Sequence, residues 1–137
     1  MAIVLKPLSE LLRHATQAIH KAFAAENRSA LTIDRLTVLS QVINGPQKQR
    51  AIVEATGIDR STLSELIRAM VKQGLVTSRR DQDDQRATLV SITVFGRREH
   101  RTAAASLVNA ETALLDTLDP QHRAQLIRAL VMLKLHD

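Results

Sequence analysis

The sequence predicts a mainly α-helical fold of six helices, with one small β-hairpin inserted after the fourth. Three observations predict it. Apolar residues recur at helical spacing up to about residue 71 and again after residue 96. Between those regions, Leu75–Thr93 reads as two β-branched, apolar runs separated by polar residues. Gly and Pro punctuate the junctions between segments. A chain of 137 residues suits a single domain.

Each element has a local cause. Leu8, Leu11, Leu12, Ala15, Ile19, Ala22 and Phe23 share one helical face, which predicts a first helix over Pro7–Ala25, with Pro7 suited to a first turn. Leu36, Leu39, Val42 and Ile43 predict a second over Ile33–Ile43, stopped by Asn44-Gly45-Pro46. Ile52 and Val53 are the inward residues of a short third helix, Gln49–Thr56, which ends at Gly57. Asp59 is placed to cap a fourth, Arg60–Gln73, by accepting the Thr62 N–H, and Gly74 closes it. Leu75–Thr77 and Thr88–Thr93 read as strands flanking the polar run Asp81–Gln85. Ala103, Ala104, Leu107, Val108, Leu114, Leu115 and Leu118 line a long fifth helix after Gly96. Asp119-Pro120 caps and starts a sixth, which carries Leu126, Ile127, Leu130, Val131 and Leu133.

Composition narrows the function. The formal net charge of +5 favours a polyanionic partner. With no cysteine, disulfides and thiolate metal sites are excluded. Phe23 and Phe95 are the only aromatic residues, which disfavours base stacking on single strands. No run approaches the roughly 20 apolar residues that span a bilayer, and the start, Met1 to Leu8, is too short for a signal-peptide core. A cytoplasmic protein with no membrane partner is expected.

Two short helices joined by Gly57-Ile58-Asp59 and followed at once by a hairpin form a helix-turn-helix with a wing. On a wheel of about 100° per residue, Leu63, Leu66, Ile67, Met70 and Val71 of the fourth helix face inward. Ser61, Ser64, Glu65, Arg68 and Lys72 face outward, where hydroxyls and a guanidinium can meet base edges in a major groove. In the expected division of labour, Ser61, Ser64 and Arg68 read bases, while Lys48, Arg60 and Lys72 hold phosphates. Thr62, at the capped start of the helix, and Arg80, at the end of the first strand, complete the expected interface with the wing pair Asp84 and Arg86. Asp84, two residues before Arg86, is placed to direct its guanidinium by a bidentate pair into a narrow minor groove.

These residues resemble the MarR (multiple antibiotic resistance regulator) family of bacterial winged-helix repressors. The resemblance is carried by Thr56–Gly96: Asp59-Arg60-Ser61-Thr62-Leu63 is similar to the start of the family's recognition helix, and Gly74-Leu75-Val76 to its exit into the wing. Asp84-Gln85-Arg86 matches the D-x-R wing signature, and Val90, Thr93 and Gly96 match the junction that follows. The resemblance implies an obligate homodimer, one recognition helix and one wing per subunit on DNA, and a small-molecule effector site between the dimerisation and DNA-binding parts. Residues 1–30 and 97–137 would then be the dimerisation helices and residues 31–96 the winged helix-turn-helix. Three departures stand out: Lys48 occupies the position of a common Ser or Thr cap, which leaves the third helix a loose start or instead a Lys that reaches a phosphate; Val94-Phe95 replaces a usually polar pair, marking a local packing contact; and Asp34-Arg35 stands where many members have a Gln- or Glu-containing stretch, from which nothing follows.

Dimerisation also has support independent of the resemblance. The first and sixth helices are apolar over much of their circumference, and in so short a chain they need a partner surface. Leu8, Leu11, Leu12, Leu115, Leu126, Leu130 and Leu133 are the expected contacts. A two-fold dimer would bind half-sites about one helical turn apart in double-stranded DNA. The histidines His14, His20, His100, His122 and His136 include no i, i+4 pair, so no metal site is expected. No catalytic motif or cofactor motif is present, which argues against an enzyme. The competing reading is a winged-helix module for protein interaction or DNA architecture without promoter regulation.

Overall fold

The computed structural model describes residues 5–134; residues 1–4 and His136, which figure in the expectations above, lie outside them. Its order is α1 (Leu8–Glu26), α2 (Ile33–Val42), β1 (Gln47–Lys48), α3 (Gln49–Thr56), α4 (Arg60–Lys72), β2 (Val76–Arg80), β3 (Thr88–Ile92), α5 (Val94–Leu115) and α6 (Pro120–Lys134). The six helices and the hairpin are those the sequence predicts. The additional strand β1 extends the hairpin to a three-stranded antiparallel sheet in the order β1-β3-β2. The chain divides into two compact units, residues 27–106 and residues 1–26 with 107–137, and the boundary falls within α5.

In the first of these units α2, α3 and α4 pack with the sheet around Leu39, Ile52, Leu63, Met70, Leu75 and Val90, all essentially solvent-free. Each such side chain contributes about 1.5–3 kcal/mol by leaving water. The helix ends follow from side-chain chemistry. Thr32 caps α2 by accepting the Arg35 N–H, and Asp59 accepts the Thr62 N–H at 2.9 Å. Gly57 takes the left-handed conformation (φ 72°) that turns the chain between α3 and α4, while its N–H closes α3 on the Val53 carbonyl. Val71 departs from the inward face assigned to it and is 41% exposed, because it lies about 100° around the helix from the fully buried Met70, at the edge of the packed face.

The root of the hairpin is a hydrogen-bonded knot. Thr93 Oγ1 donates toward the carbonyls of Gly74 and Leu75 and accepts the Gly96 N–H at 2.9 Å. Thr93 therefore caps α5, which begins at Val94 rather than after Gly96. Gly96 is required here by proximity: a Cβ would sit 2.1 Å from the Leu75 carbonyl oxygen. Val94 itself is 87% exposed and makes no packing contact of the kind expected; the adjacent Phe95 instead carries the Arg98 guanidinium over its ring at 5.3 Å. At its other end α5 stops at Leu115, so Leu118 lies in the following turn, and Val108 is exposed rather than lining the helix interior.

In the second unit, Asp119 caps α6 by accepting the His122 N–H at 2.9 Å, as the Asp-Pro pair predicts. The His122 contacts hold the Asp119 carboxyl below its ordinary range. Leu8, Leu11 and Leu12 of α1 and Leu126, Leu130 and Leu133 of α6 are all exposed, and Leu115 is half-buried. Among the described residues no helix is long and apolar enough to cross a membrane, and no cluster of three metal-ligating side chains occurs.

Candidate nucleic-acid interface

Side chains from α3, α4 and the hairpin border a concavity of about 720 Å³ within residues 27–106. Its cations are Lys48, Arg50, Arg60 and Arg86, against the single lining acid Asp84. Among the described residues the three arginines form no ion pair, so their charge is directed at whatever enters. Lys48 is different. Its Nζ lies 3.6 Å from Asp81, whose side chain is only 14% exposed. The sequence expects Lys48 to reach a phosphate; in the structure its charge is paired with Asp81, where β2 enters the hairpin tip. Lys48 provides no side-chain cap for α3, yet the helix does not start loosely. Lys48 pairs with Leu89, and Gln47 with Val90, which ties the entry to α3 onto the sheet.

The acids of the hairpin have a structural cause. Asp81 accepts the Asp83 N–H and Asp84 accepts the Arg86 N–H, each at 3.1 Å. The Asp81 N–H bonds the Ala87 carbonyl and the Ala87 N–H the Asp84 carbonyl, which closes the tip. These are Asx-type turns, in which a short carboxylate satisfies a backbone donor two residues on. Asp84 therefore shapes the backbone that carries Arg86 and forms no salt bridge with its guanidinium, contrary to the pair expected from their spacing. The nearby backbone N–H is reached without ordering a long side chain, which is why it prevails.

On α4, Ser61, Thr62, Arg68 and Lys72 are exposed, as are Arg60 and Glu65. Thr62 is engaged locally, donating its hydroxyl to Asp59 at 2.6 Å, and this bond with the backbone cap lowers the Asp59 pKa. Ser64 is half-buried and doubly bonded: it donates to the Arg60 carbonyl at 3.0 Å and accepts from Gln49 Nε2 at 2.7 Å. The structure thus gathers Lys48, Arg60, Ser64, Asp84 and Arg86 around one concavity, while Ser61, Thr62, Arg68, Lys72 and Arg80 lie outside its lining. Gln49 and Arg50 belong to it and were missed from the sequence. No amphipathic signal marked them, because Gln49 shares the helix face of Ile52 and Val53 at i+3 and i+4, and Arg50 precedes Val53 by three.

A short helix pair turned by a left-handed glycine, an exposed polar face on its second helix and a hairpin wing define a winged helix-turn-helix DNA-binding protein. Residues 31–87 match the sequence model of the MarR family. Over 128 residues the chain is 21% identical to the uncharacterized HTH-type transcriptional regulator YdgG of Bacillus subtilis (91% of this chain, 84% of that protein). A probable transcriptional regulator from Pseudomonas aeruginosa is 27% identical, with a TM-score of 0.84 over 93% of this chain and 97% of that one. Two further structures share the fold at 24% identity. One is the regulator PcaV of Streptomyces coelicolor in complex with its natural ligand (TM-score 0.88, 99% of both chains). The other is BpsR of Bordetella bronchiseptica, whose DNA binding is regulated by 6-hydroxynicotinic acid (TM-score 0.89, 100% and 99%). Residues 31–87 thus match the MarR family, and the chain as a whole shares the fold of transcriptional regulators.

Proposed function

We propose that this protein is a homodimeric repressor that binds a palindromic operator in double-stranded DNA and leaves it when a small molecule binds. The observation that carries the reading is the concavity between α3, α4 and the wing, where Arg50, Arg60 and Arg86 stand without acidic partners among the described residues. Ser61 and Arg68 read the major groove from the exposed face of α4, and Arg60, Arg50 and Lys72 hold phosphates. Arg86, on a backbone fixed by Asp84, enters the minor groove.

Residues 31–96 act as the DNA-binding part, and residues 1–30 with 97–137 as the dimerisation part. Support for the dimer comes from the apolar residues α1 and α6 leave in water, Leu8 and Leu133 each at 59% exposure. Monomeric proteins seldom leave large apolar patches uncovered. Relief by an effector is supported by two proteins that share this fold, one in complex with a natural ligand and one whose DNA binding is regulated by 6-hydroxynicotinic acid. A protein with this task works in the cytoplasm. The test is selection of bound duplexes from a random pool by the purified protein. A two-fold symmetric motif with half-sites about one helical turn apart is expected. Recovery of no preferred sequence would refute the reading.

A further inference from the structure

The bond between Gln49 and Ser64 joins α3 to α4 inside the concavity, and its chemistry is fixed in one direction. A serine hydroxyl has one proton. That of Ser64 goes to the Arg60 carbonyl at 3.0 Å, so toward Gln49 the oxygen acts only as an acceptor. The nitrogen of the Gln49 amide must therefore be the atom turned to Ser64, at 2.7 Å. One N–H of that amide is consumed. The other N–H and Oε1 make no protein hydrogen bond among the described residues, on a side chain that lines the concavity.

We propose that Gln49 is a specificity-determining residue that reads an adenine in the operator, and that Ser64 is its positioning residue. The proposal rests on the DNA-binding reading above. A donor beside an acceptor complements the N7 and N6–H₂ pattern that adenine shows in the major groove. A phosphate is a poorer match, because its oxygens would accept from the free N–H but repel Oε1. Thymine and guanine present acceptors where Oε1 needs a donor. The outward hydroxyl of Ser64, assigned to base reading from the sequence, thus acts through its neighbour.

The experiment is duplex selection followed by affinity measurement with the wild-type protein and the Gln49→Ala, Ser64→Ala and Ser64→Thr variants, each checked for its Tm. The wild type should prefer adenine at one position per half-site by about fivefold or more, the range of a good bidentate contact. Q49A should erase that preference and leave the other positions intact. S64A should weaken it at the same position, and S64T, which keeps the hydroxyl, should retain it. Equal loss of affinity for all duplexes in Q49A would make Gln49 a phosphate contact and overturn the proposal. A lower Tm with an unchanged motif would make the bond purely structural and overturn it equally. A wild-type protein that selects no sequence would refute the DNA-binding reading itself, a result distinct from either.

Discussion

Replacing Gly96 by Ala tests how tightly the wing root is held. The added methyl would lie 2.1 Å from the Leu75 carbonyl oxygen and 2.9 Å from Ile92 Cγ1. Relief requires moving a backbone carbonyl by about 1 Å, since an ordinary carbon–oxygen contact exceeds about 3 Å. That carbonyl also accepts the Thr93 N–H at 3.1 Å and is 3.0 Å from Thr93 Oγ1. Overpacking costs typically about 1–3 kcal/mol, and each weakened hydrogen bond adds about 0.5–1.5 kcal/mol. Against this stands the helix propensity gained by Ala over Gly, about 1 kcal/mol. The net expectation is a loss of about 2–3 kcal/mol, or roughly 6–12 °C in Tm for a chain of this length. Thermal unfolding followed by circular dichroism reads it directly. A Tm within about 2 °C of wild type would show that the carbonyl yields freely, and the account of a rigid knot at Thr93–Gly96 would be wrong.

Other perturbations separate the roles assigned to the interface. Arg68→Ala should relax sequence preference at one position per half-site, seen in duplex selection; equal weakening on all sequences would make Arg68 a phosphate contact. Lys48→Ala should lower stability by about 1 kcal/mol or less, as expected of a partly exposed ion pair. It should also weaken DNA binding less than loss of an unpaired arginine, because Asp81 already neutralises Lys48. His100 is held below its ordinary pKa by burial, and Ser40, whose proton goes to the Leu36 carbonyl, accepts from its Nε2 at 3.0 Å. The folded state therefore favours neutral His100. Its contribution to stability should be full above about pH 6.5 and decline as pH falls from there toward the lowered folded value. An NMR titration of His100 with a midpoint at or above 6.5 would contradict this.

The sequence was most informative where one residue decides one local conformation. Gly57 and Asp59 set the ends of α3 and α4 because a left-handed turn and a carboxylate cap depend on nearest neighbours. β1 was invisible: Gln47-Lys48 has no strand pattern, and its pairing exists only because β3 offers it an edge. The two strands of the wing were legible, but β2 runs on to Arg80 because the register continues to Arg80 opposite Thr88. Spacing alone admitted both a side-chain pair and a backbone turn for Asp84 and Arg86, and only geometry chose between them. Likewise Ser64 pointed outward on the wheel, but the Gln49 that engages it comes from another helix.

DNA binding by the arginines beside the wing is decided by titrating a selected duplex against wild type and Arg86→Ala over a range of salt concentrations. Log affinity should fall steeply with log salt for the wild type, because phosphate neutralisation releases counterions. R86A should bind several-fold or more weakly at physiological salt, with a shallower slope. Unchanged affinity and slope in R86A would contradict it.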